Sequence, residues 1–419
     1  MKLNELKDKR ILIFGFGREG RDTFKFLRKL FPGKKIGIAD RSNEVKKPDR
    51  NTMLHLGKNY LAAIGKYDTV VKSPGIPFKI LPRSAVKKII TQTEIFFNNC
   101  RGRIIGVTGT KGKSTTAALI YRILKDGKVK VHLAGNIGKP VLNLLFSDTP
   151  RNVYVYELSS HQLYNLRKSP HVAVFLNVYP EHLDYYKSFK EYANAKANIC
   201  LWQTENDYLI YNSQNEIVKN IAKKSKAEKI QIKGEYYELD TAAARAVARI
   251  FKIPDRIINK SIKKFKHLPH RLELVGTFKG ITFYNDALAT IPEATISAIN
   301  KLGDKVETII LGGFDRNIDF RKLAEKVLVS KIKTMIFFPT TGEKIWKTIV
   351  RQNKKKKGFN RFFVNNMEEA IRLAYQHTGK GKICLLSTAS ASFGIFKDYK
   401  EKGDLFKKYV KKYGCGKKI

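Results

Sequence analysis

The segment RIIGVTGTKGKST at 103–115 puts a strand-forming run, a glycine loop, a lysine and two hydroxyl residues in the order that phosphate chemistry uses. Backbone N–H groups of such a loop can cradle phosphates, the Lys113 ammonium can reach a β or γ phosphate, and a hydroxyl at Ser114 or Thr115 can serve Mg2+. Gly109, Thr110, Lys111, Gly112, Lys113, Ser114 and Thr115 are therefore candidate ATP-binding residues. The general pattern carries glycine at position 107, where this chain has Val107. The loop is a variant, and its GTKGKST shape is narrower than the general motif. Two apolar runs downstream end in metal-ligand residue types: VYVYE closes on Glu157, and VAVFLNV leads into PEHLD with His182 and Asp184. Mg2+ takes a few oxygen ligands together with phosphates and water, so a carboxylate at a strand tip beside a phosphate loop suits it. Histidine is a less usual Mg2+ ligand, and His182 read by itself is more often a hydrogen-bonding residue.

A second glycine turn lies nearer the N-terminus. Gly15, Gly17 and Gly20 form a GxGxxG between a strand and the helical run TFKFLRKLF, and Asp40 ends the next strand-like run, IGIAD. That order sets a diphosphate at a helix N-terminus and a carboxylate near a ribose. Taken alone it fits a nicotinamide-dependent oxidoreductase, a UDP-sugar site or a tight turn with no ligand. SPGIP at 73–77, with Ser73 and Gly75, follows YDTVVK and offers another loop at the same sheet edge, although Pro and Gly also simply end strands.

The elements that must carry these groups alternate between short β-rich runs and helical patterns, which is the arrangement of parallel α/β sheets. A third strand, TIILGGFDRN at 308–317, also runs into glycines, and ligands collect at the carboxyl ends of such strands. At roughly 100–200 residues per domain, 419 residues exceed one core. We read an α/β chain of three domains. A Rossmann-like N-terminal domain spans 1–100, a central P-loop-type ATPase domain with a mostly parallel sheet spans 101–268, and a Rossmann-like C-terminal domain spans 269–419. The boundaries fall in the polar stretch 98–103 and at HLPHR, 267–271.

With 43% hydrophobic, 11% aromatic and 28% charged residues, the chain has the material for globular cores. MKLNELKDKR is not followed by the apolar region of a signal peptide, and no run approaches the ~20 apolar residues of a membrane span. Cys100, Cys200, Cys384 and Cys415 are scattered without CxxC spacing, which argues against a zinc site and a disulfide framework. A cytoplasmic location without membrane insertion is expected. The net charge of +44 could mark a nucleic-acid partner or an anionic surface. The basic residues run along the whole chain, however, with only Lys354 to Lys357 as a block, and no nucleic-acid-binding signature organises them. A lysine-rich proteome accounts for the charge, and no specific nucleic-acid partner is expected.

Longer motifs carry a resemblance. VTGTKGKST, GNIG (135–138), ELSSHQL (157–163), NVYPEHLDYY (177–186), YANAK (192–196), LPHR (268–271) and FYNDALAT (283–290) stand in the order and spacing of the Mur ligases of peptidoglycan synthesis. The GxGxxG start, LGGFDRN and the ending LLSTASASFGIFKDYKEKGDLF look most like the branch that adds glutamate to UDP-N-acetylmuramoyl-L-alanine. The similarity covers nearly the whole chain. It implies a UDP-binding first domain, a central ATPase and a C-terminal domain that carries the incoming amino acid. It also implies an acyl phosphate on the alanine carboxylate, which the glutamate amine attacks. By motif match, Lys113 and Thr115 would hold ATP phosphates, Ser114 and Glu157 would serve Mg2+, and His182 would support a second Mg2+. Lys196 matches the family's carbamylated lysine, a modification that turns a cation into a metal-binding anion; read without the family it is one of many surface lysines. Asn136 would approach the muramoyl substrate, together with the UDP-site residues Gly15, Gly17, Asp40, Ser73 and Gly75. His270, Arg271 and Asp286 match the segment that closes over ATP, and Ser387 matches the acceptor-binding serine. The implied cofactors are ATP and Mg2+, the partners are small-molecule substrates, and a monomer is expected. Phosphoryl transfer is mostly positioning and charge neutralisation, so this inventory needs no nucleophilic triad.

The chain departs from the pattern at two places. NDSKAT in the glutamate-adding branch reads NDALAT here, with Ala287 and Leu288 replacing a serine and the lysine that helps bind the acceptor carboxylate. A sister group that adds L-glutamate also looks lysine-free there, with a proline resembling Pro292, so the acceptor's stereochemistry stays open. An HNxxN-like segment near the adenine is replaced by YYELD at 236–240.

Overall fold

The structure is a computed structural model that describes residues 1–415 except 136, 137, 139, 183, 184, 236, 266–268 and 355–357. It divides into two compact units. The first comprises residues 1–179 and 185–265, the second 180–184 and 266–419.

The first unit holds two sheets. In the N-terminal one, β1 (Ile11–Phe14) leads into α1 (Arg18–Leu30), followed by β2 (Ile36–Asp40), β3 (Thr52–Leu56), β4 (Thr69–Lys72), β5 (Ile89–Thr91) and α2 (Gln92–Asn99). The strand order is β3-β2-β1-β4-β5, with parallel pairing throughout. Every β1 residue is buried, as expected for a central strand covered on both faces.

The second sheet is built from β6 (Arg103–Thr108), α3 (Lys113–Asp126), β7 (Val131–Gly135), β8 (Val153–Glu157), α4 (Ser160–Leu163), β9 (Val172–Phe175), α5 (Phe189–Ala197), β10 (Tyr208–Asn212), α6 (Glu216–Ala222), β11 (Glu228–Ile232), α7 (Tyr237–Ile250) and α8 (Asp255–Lys264). Its order is β11-β10-β9-β6-β8-β7, again all parallel. β6 thus lies between β8 and β9. That position brings the carboxyl ends of the three strands bearing the candidate phosphate and metal residues side by side. One continuous core, running from Ile13 and Phe26 to Tyr156 and Phe175, joins this sheet to the first.

The second unit contains β12 (Glu273–Phe278), β13 (Ile281–Asn285), α9 (Pro292–Leu302), β14 (Val306–Gly312), α10 (Arg321–Val329), β15 (Thr334–Phe338), α11 (Thr341–Gln352), β16 (Asn360–Phe363), α12 (Met367–His377), β17 (Ile383–Leu386) and α13 (Tyr399–Cys415). Its sheet order is β12-β13-β17-β14-β15-β16, parallel except for the β12–β13 hairpin. Separate apolar clusters cover its two faces. Among the described residues no helix is long and apolar enough to cross a membrane.

Candidate functional site

Beyond Thr108 the chain turns through Gly109 to Gly112 and enters α3. Gly112 caps the helix with a left-handed φ of 89°, and a Cβ there would stand 2.6 Å from Asp240 Oδ1 and 2.9 Å from Leu176 Cδ1. Both the backbone angle and the close approach call for glycine. Asn177, just past β9, ties the turn down: its carbonyl accepts from Thr110 N and its Oδ1 from Lys111 N, each at 2.8 Å. These two N–H groups are engaged within the protein. The donors suited to an anion are those at the head of α3, where first-turn N–H groups lack intrahelical partners. Thr115 is buried in that first turn.

Positive charge gathers at the loop. Lys113 Nζ donates to the carbonyls of Gly109 (2.9 Å) and Thr110 (3.0 Å), and Lys196 Nζ donates to the same Gly109 carbonyl at 2.9 Å. Lys196 is 1% exposed, with its ammonium 4.9 Å from the Tyr192 ring centre. Setting one buried and one half-buried ammonium group on a single carbonyl costs solvation, which an anion at the loop would offset. Opposite charge stands at the tip of β8, where Ser114 Oγ donates to Glu157 Oε1 at 3.0 Å. Glu157 is 3% exposed, and among the described residues its buried Oε2 has no hydrogen-bond partner. An orphaned carboxylate oxygen is rare in a folded interior, and it suits a cation bound mainly by phosphate and water. The residues present therefore fit Mg2+. The YYELD segment supplies part of this site: Asp240, on α7, accepts from Thr116 Oγ1 at 2.6 Å.

The first sheet carries a cleft of about 480 Å³ whose lining includes Gly15, Gly17, Asp40, Ser73 and Gly75, all five of the sequence-predicted residues on this sheet. Gly15 has φ 91°, and Gly20 lies so close behind it that a Cβ would meet the Gly15 carbonyl at 2.0 Å. Ser73 Oγ donates to that carbonyl at 2.7 Å. Asp40 accepts from Phe16 N at 2.7 Å and Ser42 N at 2.8 Å, so its carboxylate holds the glycine turn as well as facing the cleft. Asn136 lies outside the described residues.

Four residues here escaped sequence reasoning. Glu19 lines the cleft and accepts from Gln162 Nε2 at 2.8 Å. Burial pushes the Glu19 carboxyl up to about 7 against the opposing Gln162 bond, and burial draws the Lys72 ammonium down to about 7. Tyr185 OH lies within hydrogen-bonding distance of the Pro74 (2.9 Å) and Ile76 (3.0 Å) carbonyls. Gln162 sits in the ELSSHQL motif and Tyr185 in NVYPEHLDYY, but nothing in either motif told which partner each would find.

In the second unit, His182 has φ 59° and its Nε2 is 3.7 Å from Glu181 Oε2; Glu181 Oε1 accepts from Thr290 Oγ1 at 3.2 Å. His270 is buried, with Nδ1 3.0 Å from Asn285 Nδ2, and burial lowers its pKa first of all causes. Asp286 Oδ1 accepts from Leu272 N at 3.1 Å and Oδ2 from Ser387 Oγ at 3.0 Å. Ser387 and Asp286 are thus brought together, with His270 and Arg271 in the adjoining segment. Ser387 is fully buried and its hydroxyl is engaged by Asp286, whereas Ser392 Oγ, five residues on, is buried with no partner among the described residues. Ala287 belongs to the core.

A strand, a glycine loop, a lysine and a carboxylate on the neighbouring strand define a nucleotide-phosphate-binding α/β protein. A family model described as the Mur ligase middle domain matches residues 107–285, and the Mur ligase glutamate ligase domain matches 270–390. The UDP-N-acetylmuramoylalanine--D-glutamate ligase of Acetivibrio thermocellus is 32% identical, covering 98% of this chain and 98% of its own. The protein of the same name from Clostridium acetobutylicum is 33% identical over 97% of both. The crystal structure of a MurF ligase from Thermotoga maritima in complex with ADP matches with a TM-score of 0.61 at 17% identity, over 98% of this chain and 97% of that one. The likeness to that structure concerns the fold. The chain belongs to the Mur ligase family.

Proposed function

We propose that this protein is an ATP-dependent ligase that joins D-glutamate to UDP-N-acetylmuramoyl-L-alanine in peptidoglycan precursor synthesis. The observation that carries the reading is the convergence of Lys113, Lys196, Ser114 and the orphaned Glu157 Oε2 on one glycine loop, in a chain that covers nearly the whole length of relatives named as D-glutamate ligases. Those names favour D-glutamate over the L-enantiomer that Leu288 and Pro292 left open, and family membership replaces the oxidoreductase alternative.

In this reading the cleft of the first sheet takes the UDP portion of the substrate, with Gly15, Gly17, Ser73 and Gly75 close to the diphosphate. Lys113, with the N–H groups heading α3, holds the ATP phosphates. Glu157 and Ser114 would hold Mg2+, with Lys196, as its carbamate, as a further donor. Mg2+ supplies neutralisation of the phosphate charge. Transfer of the γ phosphoryl to the alanine carboxylate gives an acyl phosphate; the glutamate amine attacks its carbonyl, and phosphate leaves. Lys113 stabilises the transferring group through charge held in place beforehand. His270, buried and bonded to Asn285, fixes the segment bearing Arg271 and Asp286, the residues that the motif match assigns to nucleotide binding. Ser387 serves the acceptor end through Asp286, and Ser392 is a further acceptor-side hydroxyl suggested by its lack of a partner.

The test is phosphate release by purified protein given ATP, Mg2+ and UDP-N-acetylmuramoyl-L-alanine with D- or L-glutamate. Turnover with D-glutamate is expected, and silence with both enantiomers sinks the reading.

A further inference from the structure

We propose that the cleft of the first sheet takes up a proton together with its diphosphate ligand, and that Glu19 and Lys72 receive it. The inference rests on the reading of that cleft as the UDP site.

Glu19 is the second residue of α1, at the helix end facing the cleft, and its carboxyl is bonded by the neutral amide of Gln162. Lys72 ends β4 beneath the SPGIP loop. It is 1% exposed, donates to the Ser73 and Ile76 carbonyls at 3.0 and 2.6 Å, and stands 4.5 Å from the centre of the Phe78 ring. Among the described residues neither group has an oppositely charged side chain within ion-pair distance. The charged groups facing Glu19 are Arg18 and Asp22 from its own helix and Lys72 from β4. Tyr156 from β8 also faces it, with a hydroxyl that burial keeps protonated, and Asp40 and Arg41 complete the cleft wall. Glu19 is the charge acting on Lys72.

Because burial moves both groups toward neutrality from opposite directions, to about 7 each, both exchange protons near neutral pH in the ligand-free protein. A diphosphate beside Gly15 and Gly17 brings about two negative charges into a poorly solvated spot. That field favours neutral Glu19 and cationic Lys72, so the complex binds more protons than the free protein. Affinity must then weaken as pH rises through 7, by up to about tenfold per pH unit for each proton taken up. A carboxylate in an anion site, otherwise a repulsive element, becomes a hydrogen-bond donor when occupied.

The experiment is calorimetric titration of UDP-N-acetylmuramoyl-L-alanine at pH 7 in two buffers of different ionisation enthalpy, without ATP. Each phosphorus of this ligand carries one ester and one anhydride link and has only a strongly acidic hydroxyl, so none of its groups titrates near 7. Uptake of roughly half to one proton is expected, falling by at least half in Glu19→Gln and in Lys72→Met, each checked for native melting. Lys72→Met also loses two loop bonds, so Glu19→Gln, which keeps its shape beside Gln162, decides if the other unfolds. Binding without uptake overturns the inference alone, as does undiminished uptake in the variants. Failure of the ligand to bind overturns the UDP reading of the cleft and this inference with it.

Discussion

The two glycine turns of the first unit share a plan, a buried parallel strand running through glycines into a helix, yet they are completed in opposite ways. At 15–20 the turn is closed by backbone and carboxylate contacts: Gly20 against the Gly15 carbonyl, Asp40 on Phe16 N, Ser73 on Gly15. The result is a roomy cleft with a partly neutral acid–base pair. At 109–115 the turn is completed by two ammonium groups and an orphaned carboxylate oxygen. A shared strand–turn–helix plan therefore meets different surroundings, with side chains from other elements making one turn the wall of a cleft and gathering charge at the other.

The sharpest break of this contrast is Lys113→Ala. Losing one preorganised charge should lower kcat by at least ~10²-fold while leaving UDP-substrate binding to the first cleft intact; near-normal turnover removes Lys113 from its assigned role. Next come the paired glycine substitutions. Gly20→Ala drives a Cβ into backbone at 2.0 Å, which no rotamer change relieves, so the first cleft should lose its ligand and the melting temperature should fall, at a cost of about 1–3 kcal/mol or more. Gly112→Ala incurs left-handed strain of roughly 1–2 kcal/mol and crowds Asp240, so nucleotide binding should fail while the first cleft still binds. If both variants lose both ligands equally, the two turns are not independent sites. A smaller effect is expected from Tyr185→Phe, which removes the hydroxyl at the Pro74 and Ile76 carbonyls. About 0.5–1.5 kcal/mol, roughly twofold to tenfold, should appear in KM for the UDP substrate with kcat little changed. A change confined to kcat would show that the hydroxyl does not position the cleft loop.

Much of this was legible because it is local. GTKGKST and GxGxxG encode a strand, a turn and a helix within a dozen residues, and each turn forms where its motif lies. The sheets' apolar runs likewise mark β6, β8 and β9. What the sequence hid depends on contacts between distant segments. Asn177 takes up the Thr110 and Lys111 N–H groups, which the motif alone assigns to phosphate. Lys196 was singled out only by its match in YANAK, and nothing in its own residue type or spacing showed that α5 buries it at the loop. The Glu19–Gln162 bond joins residues 143 positions apart, and no periodicity announces it. Ser387 stood out because it matches the family's acceptor-binding serine, yet its hydroxyl is engaged by Asp286, while Ser392 Oγ finds no partner among the described residues.

The bond from Thr116 to Asp240 spans 124 residues, and it carries a consequence for biosynthesis. The glycine turn at 109–112 is translated early, but the carboxylate standing against Gly112 arrives only with α7. During elongation the nascent segment must wait, incompletely fastened, until that later helix has left the ribosome. Fastening of this turn is thus a late event in the protein's own making, and a chain stalled before Asp240 should carry the whole motif with the Thr116 hydroxyl still unbonded to its carboxylate.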